Sequence, residues 1–340
     1  MSRSKHNMSR SKHNVLVIGA GSIGERHIRC FLATHRADIA VAEVDERLRK
    51  TIMDRYGLTE GFRDYRDAID AKRDCAVIAT PAPLHIPMAC QLAEAGMSLL
   101  IEKPLSVSLD GVEELSEILT ARRVVSAVGY VIRASQPLKA MRTAIHQGRF
   151  GQPRQIVAVS GQHFPTFRPA YRETYYRSRA NGGGAIQDSL THIINLGEWL
   201  VGPIDRLCAD AGHQVLDGVE VEDTVHVITR HGPVMGSYSL NQYQAPNENS
   251  VTVICENGTA RWDGHLNRWR WMTRSGEPWQ SEEFGQFERD NLFITQTNAF
   301  LDAVEHKGEP LCTLDEGVRT LRANLAILSS VEKGCWETVE

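Results

Sequence analysis

From Asn14 onward, short apolar runs alternate with longer stretches in which apolar positions recur every three or four residues. "VLVIGA" (15–20) reads as a buried strand, "IGERHIRCFLATH" (23–35) as an amphipathic helix and "DIAVAEV" (38–44) as a second strand. The alternation continues through "ERLRKTIMDRYG", "CAVIAT", "LHIPMACQLAEAG", "SLLIEK", "LDGVEELSEILTAR" and "VVSAVGY". Continuously apolar strands separated by helices predict an α/β domain over 14–129, a doubly wound parallel sheet covered on both faces.

After Tyr130 the texture changes. A helix through "PLKAMRTAIHQG" leads into "QIVAVSGQHF", "VEDTVHVITR", "VMGSYSLNQY" and "SVTVICEN", whose alternation of two predicts antiparallel strands facing water on one side. A helix from about Ala185 to Val201 interrupts them. "FITQTNAFLDAVEH" and "LDEGVRTLRANLAILSSVEK" close an α+β domain over 130–340. The tryptophan-rich "RWDGHLNRWRWMTRSGEPW" reads as a hairpin of this sheet rather than a carbohydrate platform. "MSRSKHNMSRSKHN" writes one polar, basic unit twice; residues 1–13 are expected to be disordered and are left out of the fold.

The 340 residues carry a net charge of −4, which supplies no basic field for nucleic acid or an anionic membrane. No run approaches the roughly 18 apolar residues of a membrane span. The seven cysteines are odd in number, scattered and without a CxxC pair, as expected of reduced thiols in a cytoplasmic protein, and no cluster has zinc-ligand spacing. Small-molecule chemistry is the class left.

The first strand-to-helix turn, "GAGSIG", satisfies GxGxxG with Gly19, Gly21 and Gly24. The first glycine permits the turn, the second lets backbone approach a pyrophosphate, and the third lets helix and strand pack. Glu43, nineteen residues after Gly24 at the end of the second strand, is placed to bind both ribose hydroxyls of an adenosine and would repel a 2′-phosphate, which favours NAD over NADP. Asp45 is a rival, although it better suits a helix cap. S-adenosylmethionine uses a similar turn and stays open on this motif alone.

Two further places carry chemistry. "GGGAIQDSLTH" sets Asp188 and His192 four apart, on one face of a helix. A metal pair, an acid/base pair, and a cap beside a core histidine all fit that spacing; a metal would need further ligands that no nearby spacing provides. "LLIEKPLS" puts Lys103 at the carboxyl end of a parallel strand, where open α/β sheets bind ligands.

With "VIGAGSIGERH", "VIATPAPLH", "IEKPLS" and "GGGAIQDSLTHIINLGEWLVG" in this order, the chain resembles the glucose-fructose oxidoreductase / inositol 2-dehydrogenase / MocA-like family from Asn14 onward. The resemblance implies an N-terminal Rossmann domain, a C-terminal domain with a large open, mostly antiparallel sheet that mediates homodimers or homotetramers, and NAD(P) as hydride carrier. It places the catalytic lysine at Lys103, the substrate-orienting aspartate at Asp188 and the acid/base histidine at His192. Cofactor contacts fall on Gly19, Gly21, Ser22, Ile23, Gly24, Glu43, Thr80, Pro81, His85, Glu102 and Lys103. Two departures stand out: "AGMSLL" replaces "AGKHVL", and "DSLTH" lacks the glycine of "DxGxH".

On this reading His192 removes a hydroxyl proton, Asp188 raises its basicity and orients a neighbouring hydroxyl, and Lys103 stabilises alkoxide charge. The loop "FRPAYRETYYRSRANGGG" offers Arg168, Tyr171, Tyr175 and Tyr176 as substrate contacts beside Lys103, Asp188 and His192. Its flavour resembles family branches that act on sugars, polyols or sugar acids. Alternatives are an NAD-dependent glycoside hydrolase of the same fold and a dinucleotide-binding regulator without catalysis.

Overall fold

The computed structural model describes residues 12–286 and 288–340. The expectation for the duplicated N-terminal segment falls on residues 1–11, outside the described residues; His13, grouped with it, instead opens the first strand.

The first domain runs β1 (His13–Ile18), α1 (Ser22–Ala33), β2 (Ala37–Ala42), α2 (Glu46–Tyr56), β3 (Gly61–Phe62), β4 (Cys75–Ile78), α3 (His85–Glu94), β5 (Ser98–Ile101), α4 (Val112–Arg122) and β6 (Ser126–Val128). The sheet has order β3-β2-β1-β4-β5-β6, all parallel, so it reverses direction of growth between β1 and β4. Ligands bind outside the carboxyl ends of strands at such a switch point. Two-residue β3 was not visible in the apolar pattern because it is too short to show a period.

The second domain comprises α5 (Gln136–His146), β7 (Pro153–Gly161), α6 (Phe164–Phe167), α7 (Thr191–Val201), β8 (Arg206–Gly212), β9 (Thr224–His231), β10 (Val234–Asn241), β11 (Glu248–Cys255), β12 (Gly258–Asp263), β13 (Arg268–Met272), β14 (Gln280–Glu283), α8 (Arg289–Val304), α9 (Leu314–Lys333) and β15 (Glu337–Thr338). Its nine strands lie in the order β14-β13-β12-β11-β7-β10-β9-β8-β15, antiparallel except for β7 beside β10. Ile156, Ala158, Val225, Val227, Val251 and Val253 point to one face and bury against Leu138, Met141, Ile193, Ile194 and Leu196 of α5 and α7. The opposite face leaves Ile228 and Met235 about half exposed. The tryptophan-rich segment does form the β12–β13 hairpin; Trp269 and Trp271 stack at 4.4 Å and Arg149 lies 4.3 Å over Trp271.

The closing helices tie the halves together. α8 sends Phe300 and Leu301 into the core of the first domain beside Ile28 and Phe31, and α9 places Leu321 in that domain and Ile327 in the second. Thr313 and Glu316 form a capping box at the start of α9.

Each glycine of the first turn has a different reason. Gly19 has φ +88°, and a Cβ there would meet Ala79 O at 2.6 Å. A Cβ on Gly24 would lie 1.8 Å from Gly19 O, whereas one on Gly21 would meet nothing within 4 Å. Gly21 caps α1 with no side-chain bond, so the helix start offers its N–H groups to a ligand. Gly24→Ala is therefore expected to lose about 1–3 kcal/mol or more of stability by overpacking. Gly21→Ala should stay within about 1 kcal/mol of the parent yet bind NADH at least roughly tenfold more weakly, because its methyl occupies the approach of the pyrophosphate. Denaturant melts and NADH fluorescence titrations of both variants check this; equal effects on both readouts would contradict it.

Candidate active site

At the end of β2, the Glu43 carboxylate accepts from Ala20 N at 2.8 Å and from Asp45 N at 3.0 Å, which holds it against the glycine turn. Asp45 accepts from Arg47 N and Leu48 N as the N-cap of α2. The two acidic residues thus separate into a cap and a carboxylate beside the nucleotide turn. A dinucleotide fits here: the space over Gly21 is open, the helix start is uncapped, and the Glu43 carboxylate lies against the turn as an acceptor.

The carboxyl ends of β4 and β5 carry the next residues. Thr80 and Pro81 follow β4, and Thr80 Oγ1 donates weakly to Met88 Sδ at 3.6 Å. Glu102 is buried; His27 Nε2 lies 2.7 Å from its Oε1, and Lys103 N donates to Oε2 at 3.2 Å. Burial by itself would raise this carboxyl, but His27 and Lys103 hold it below the ordinary range. A Cβ on Gly129 would fall 2.9 Å from Glu102 Oε1, so the next strand end must be glycine to admit the carboxylate. His85, expected at the cofactor, is buried with both ring nitrogens taken up by backbone: Nε2 lies 2.8 Å from Thr80 O and Nδ1 3.0 Å from Pro104 O.

Lys103 reaches across the interdomain cleft. Its Nζ donates to Asp188 O at 2.8 Å and to Asp188 Oδ1 at 3.0 Å. Asp188 is buried and also accepts from Tyr175 Oη at 2.6 Å, Arg168 Nη1 at 3.1 Å and Ser189 Oγ at 3.2 Å. Burial opposes its ionisation, yet Lys103, Arg168 and Tyr175 together drive its pKa far below the usual carboxylate range.

The three glycines before it each permit a close approach. A Cβ on Gly182 would press on Ala82 and Pro104 of the first domain, on Gly183 it would overlap the Tyr176 carbonyl, and on Gly184 it would lie 2.4 Å from Glu222 Oε1. Glu222 is buried, accepts from Ile186 N at 3.1 Å and from Arg179 at 2.7 Å, and thereby fastens the start of the helix.

The helix does not begin as the regular α-helix expected from Ala185. Ile186–Leu190 form a π-helical turn and regular α-helix starts at Thr191. Such wide turns concentrate at functional sites. Here the turn carries Asp188, whose side chain bonds Lys103, Arg168, Tyr175 and Ser189, and no hydrogen bond joins it to His192. The absent glycine of "DSLTH" coincides with this altered turn.

His192 is packed edge-on to Tyr130, with ring centroids 6.0 Å apart, and its buried Nδ1 has no partner. Tyr130 Oη is 2.8 Å from Thr191 Oγ1, which also accepts from Asn324. Burial first, then the charges of Lys103 and Arg168, push the His192 pKa well below its ordinary value; Asp188 acts in the opposite sense and is outweighed. Asp188 thus acts on His192 in the expected direction, towards greater basicity, but burial and the two cations prevail and keep the imidazole neutral. His192, Ser189 and Arg168 border a cavity of about 150 Å³ whose other walls include Gln162, Gln242 and Asn249 from the sheet.

The tyrosines of the preceding loop divide. Tyr175 joins Asp188, but Tyr171 and Tyr176 are buried with Phe164, Leu216 and Val221. Tyr171 Oη donates to Asp217 O at 2.8 Å and Tyr176 Oη bonds Gln242. These two were expected at the substrate and instead hold the loop down, since their rings complete a small apolar cluster that the loop otherwise lacks. Sequence reasoning missed Glu222, Gln242, Asn249 and Tyr130, which come from separate segments and share no spacing with the motifs, and His27, which ends "VIGAGSIGERH" but whose partner Glu102 lies 75 residues on. Among the described residues no group of three or more His, Cys, Asp or Glu side chains is arranged to hold a metal, so the metal-pair reading of Asp188 and His192 has no third ligand.

Both halves of the chain resemble known proteins. Residues 13–130 match the oxidoreductase family with an NAD-binding Rossmann fold, and residues 138–261 match the GFO/IDH/MocA C-terminal domain. An inositol 2-dehydrogenase of Azotobacter vinelandii is 29% identical over 194 residues, 55% of this chain and 54% of that protein. A levoglucosan dehydrogenase of Pseudarthrobacter phenanthrenivorans is 25% identical over 58% of this chain and 53% of its own length. The chain thus spans about half the length of the curated relatives it matches. In fold, a levoglucosan dehydrogenase solved with NADH and levoglucosan superposes with a TM-score of 0.89 at 20% identity, covering 97% of this chain and all of the other.

A neutral buried histidine has a signature in stability. Unfolded, His192 titrates near its ordinary value of about 6.5; folded, it resists protonation, so the unfolded state binds more protons as pH falls. Its contribution is present above about pH 6.5 and is lost as pH drops below. His192→Asn should therefore flatten the fall in stability between roughly pH 7 and 5, read from urea midpoints across that range; parallel pH slopes in both proteins would contradict a depressed pKa.

Proposed function

The chain belongs to the GFO/IDH/MocA oxidoreductase family, and on that premise we propose that it transfers a hydride between NAD and a secondary hydroxyl of a sugar, polyol or inositol, or sugar acid. The observation that carries this reading is the convergence of Lys103, Asp188 and a neutral His192 across the cleft. Bound there, NAD would supply the hydride acceptor. Gly21 and the N–H groups of the α1 start would hold its pyrophosphate, and Glu43 its adenosine ribose, where a carboxylate disfavours the 2′-phosphate of NADP.

The chain's own residues account for the proton and the charge. His192 accepts the hydroxyl proton: its nitrogen is free at neutral pH, and the Asp188 charge favours the protonated ring against the burial and cations that oppose it. Lys103 donates to the reacting oxygen and stabilises developing alkoxide, while Asp188 fixes the ammonium and accepts from an adjacent hydroxyl. Arg168 holds the other carboxylate oxygen and offers its remaining N–H donors to the substrate, while Tyr175, its one hydrogen given to Asp188 Oδ1, can only accept. Ser189, Gln162, Gln242 and Asn249 line the space next to His192 with neutral hydrogen-bonding groups suited to hydroxyls. The regulator and glycoside-hydrolase alternatives gain no support from the site. A regulator has no use for a buried Lys103–Asp188 pair beside a neutral base, and the curated relatives named above are dehydrogenases.

A homodimer or homotetramer formed through the exposed sheet face is part of the same reading, supported by the half-exposed Ile228 and Met235 on that face. So is a cytoplasmic location, supported by seven cysteines that form no disulfide.

The test is NADH formation by the purified protein across sugars, inositols and sugar acids. At least one class should be turned over, and His192→Ala should lower kcat by on the order of 10²- to 10⁴-fold, with Lys103→Met at least as severe. An absence of turnover across the whole panel, or full activity in both variants, would contradict the reading. Ile228→Glu should shift the assembly to monomers in light scattering, because a charge would be buried unpaired in the interface; an unchanged mass would place the interface elsewhere.

A further inference from the structure

His85 stands at the first position of α3 with 1% of its surface exposed. Its ring bridges the loops that follow two neighbouring strands. Nε2 faces Thr80 O, just after β4, at 2.8 Å, and Nδ1 faces Pro104 O, just after Lys103, at 3.0 Å. Both partners are carbonyls, which only accept. A neutral imidazole carries one N–H, so it ties one loop by donation and sets the distance to the other by contact. Burial disfavours the doubly protonated ring, against the pull of the two carbonyls and of the nearby Glu102 charge.

The same two loops receive the second domain. Gly182 approaches so closely that an added Cβ would stand 3.1 Å from Ala82 Cβ and 3.3 Å from Pro104 Cγ. The platform spanned by His85 is thus the surface on which the glycine turn leading to Asp188 is seated. Any change in the spacing of the two loops moves Lys103 relative to Asp188 and moves the Thr80 loop relative to the nucleotide turn, whose Gly19 already packs on Ala79.

We propose that His85 is a positioning residue that holds the cofactor-facing Thr80 loop and the Lys103–Pro104 turn at a fixed separation, so that one buried ring aligns both the nicotinamide side of the cleft and the catalytic ammonium. This rests on the oxidoreductase reading above. It adds a division between the two ring nitrogens, with Nε2 serving the cofactor loop and Nδ1 the lysine.

Two conservative substitutions separate these roles. The amide nitrogen of asparagine takes the place of Nδ1 and that of glutamine the place of Nε2, so His85→Asn presents a donor to Pro104 O alone and His85→Gln to Thr80 O alone. The probes are NADH affinity, read by nicotinamide fluorescence without any substrate, and kcat on whichever panel compound the parent oxidises. His85→Gln should keep NADH affinity within about threefold and lose kcat by on the order of 10²-fold, the cost of a reacting group displaced by about 1 Å. His85→Asn should show the reverse weighting, with NADH binding weakened at least roughly tenfold and kcat at saturating NAD less affected. Equal losses in both variants on both readouts, or unfolding of both in thermal melts, would make His85 a general packing residue and overturn the proposal. Failure of the parent to oxidise any panel compound counts against the oxidoreductase reading, whereas identical NADH affinities in the two variants count against the role of His85.

Discussion

A buried aspartate held by a lysine from another domain organises this protein. Lys103 and Asp188 lie 85 residues apart, and their ion pair is almost wholly withdrawn from water, with the lysine side chain 13% exposed and the aspartate 0%. Removing one member of such a pair leaves an uncompensated charge, at a cost on the order of 3–5 kcal/mol. The surrounding structure reads as the set of arrangements that make the pair possible. Glu102 and His27 anchor the strand end before the lysine, three glycines let the backbone of the second domain approach, and Glu222 fastens the turn that carries the aspartate.

The pair also sets the electrostatics of its neighbour. The negative charge of Asp188 favours protonation of His192, but burial with Lys103 and Arg168 nearby outweighs it and keeps the imidazole neutral. A cation that can stabilise an alkoxide and a base that can take its proton therefore coexist in one cleft without neutralising each other. The π-helical turn at Ile186–Leu190 supports this separation, because it carries the Asp188 carboxylate into contact with Lys103, Arg168 and Tyr175 and leaves it without a bond to His192.

Much of this was legible in the chain. The strand and helix periods of the first domain, the reasons for Gly19, Gly21 and Gly24, and the separate duties of Glu43 and Asp45 follow from local chemistry, because each depends on neighbours close in sequence. The convergence of Lys103, Asp188 and His192 was legible only through motif resemblance, since no spacing within either segment reveals that they meet. What stayed hidden depends on long-range packing. Tyr171 and Tyr176 look like binding residues in a polar loop until their rings are seen completing an apolar cluster, and the tie of His85 to Pro104 O, 19 residues away, has no signal in its own motif. Glu222 and Gln242 sit on strand ends far from any motif, and the π-helical turn has no composition that announces it. α8, placed by order with the second domain, packs into the first for the same reason: apolar faces match in space, not in sequence.

The central claim is that the Asp188 charge, more than its bulk, positions Lys103 for chemistry. Asp188→Asn keeps the shape and removes the charge, so the direct measurement is kcat of this variant beside its NADH affinity. The account predicts kcat lower by on the order of 10²-fold or more, as expected when a reacting group is misplaced, with NADH affinity within about threefold because the nucleotide turn is untouched. An Asp188→Asn enzyme that turns over at the parent rate would contradict it.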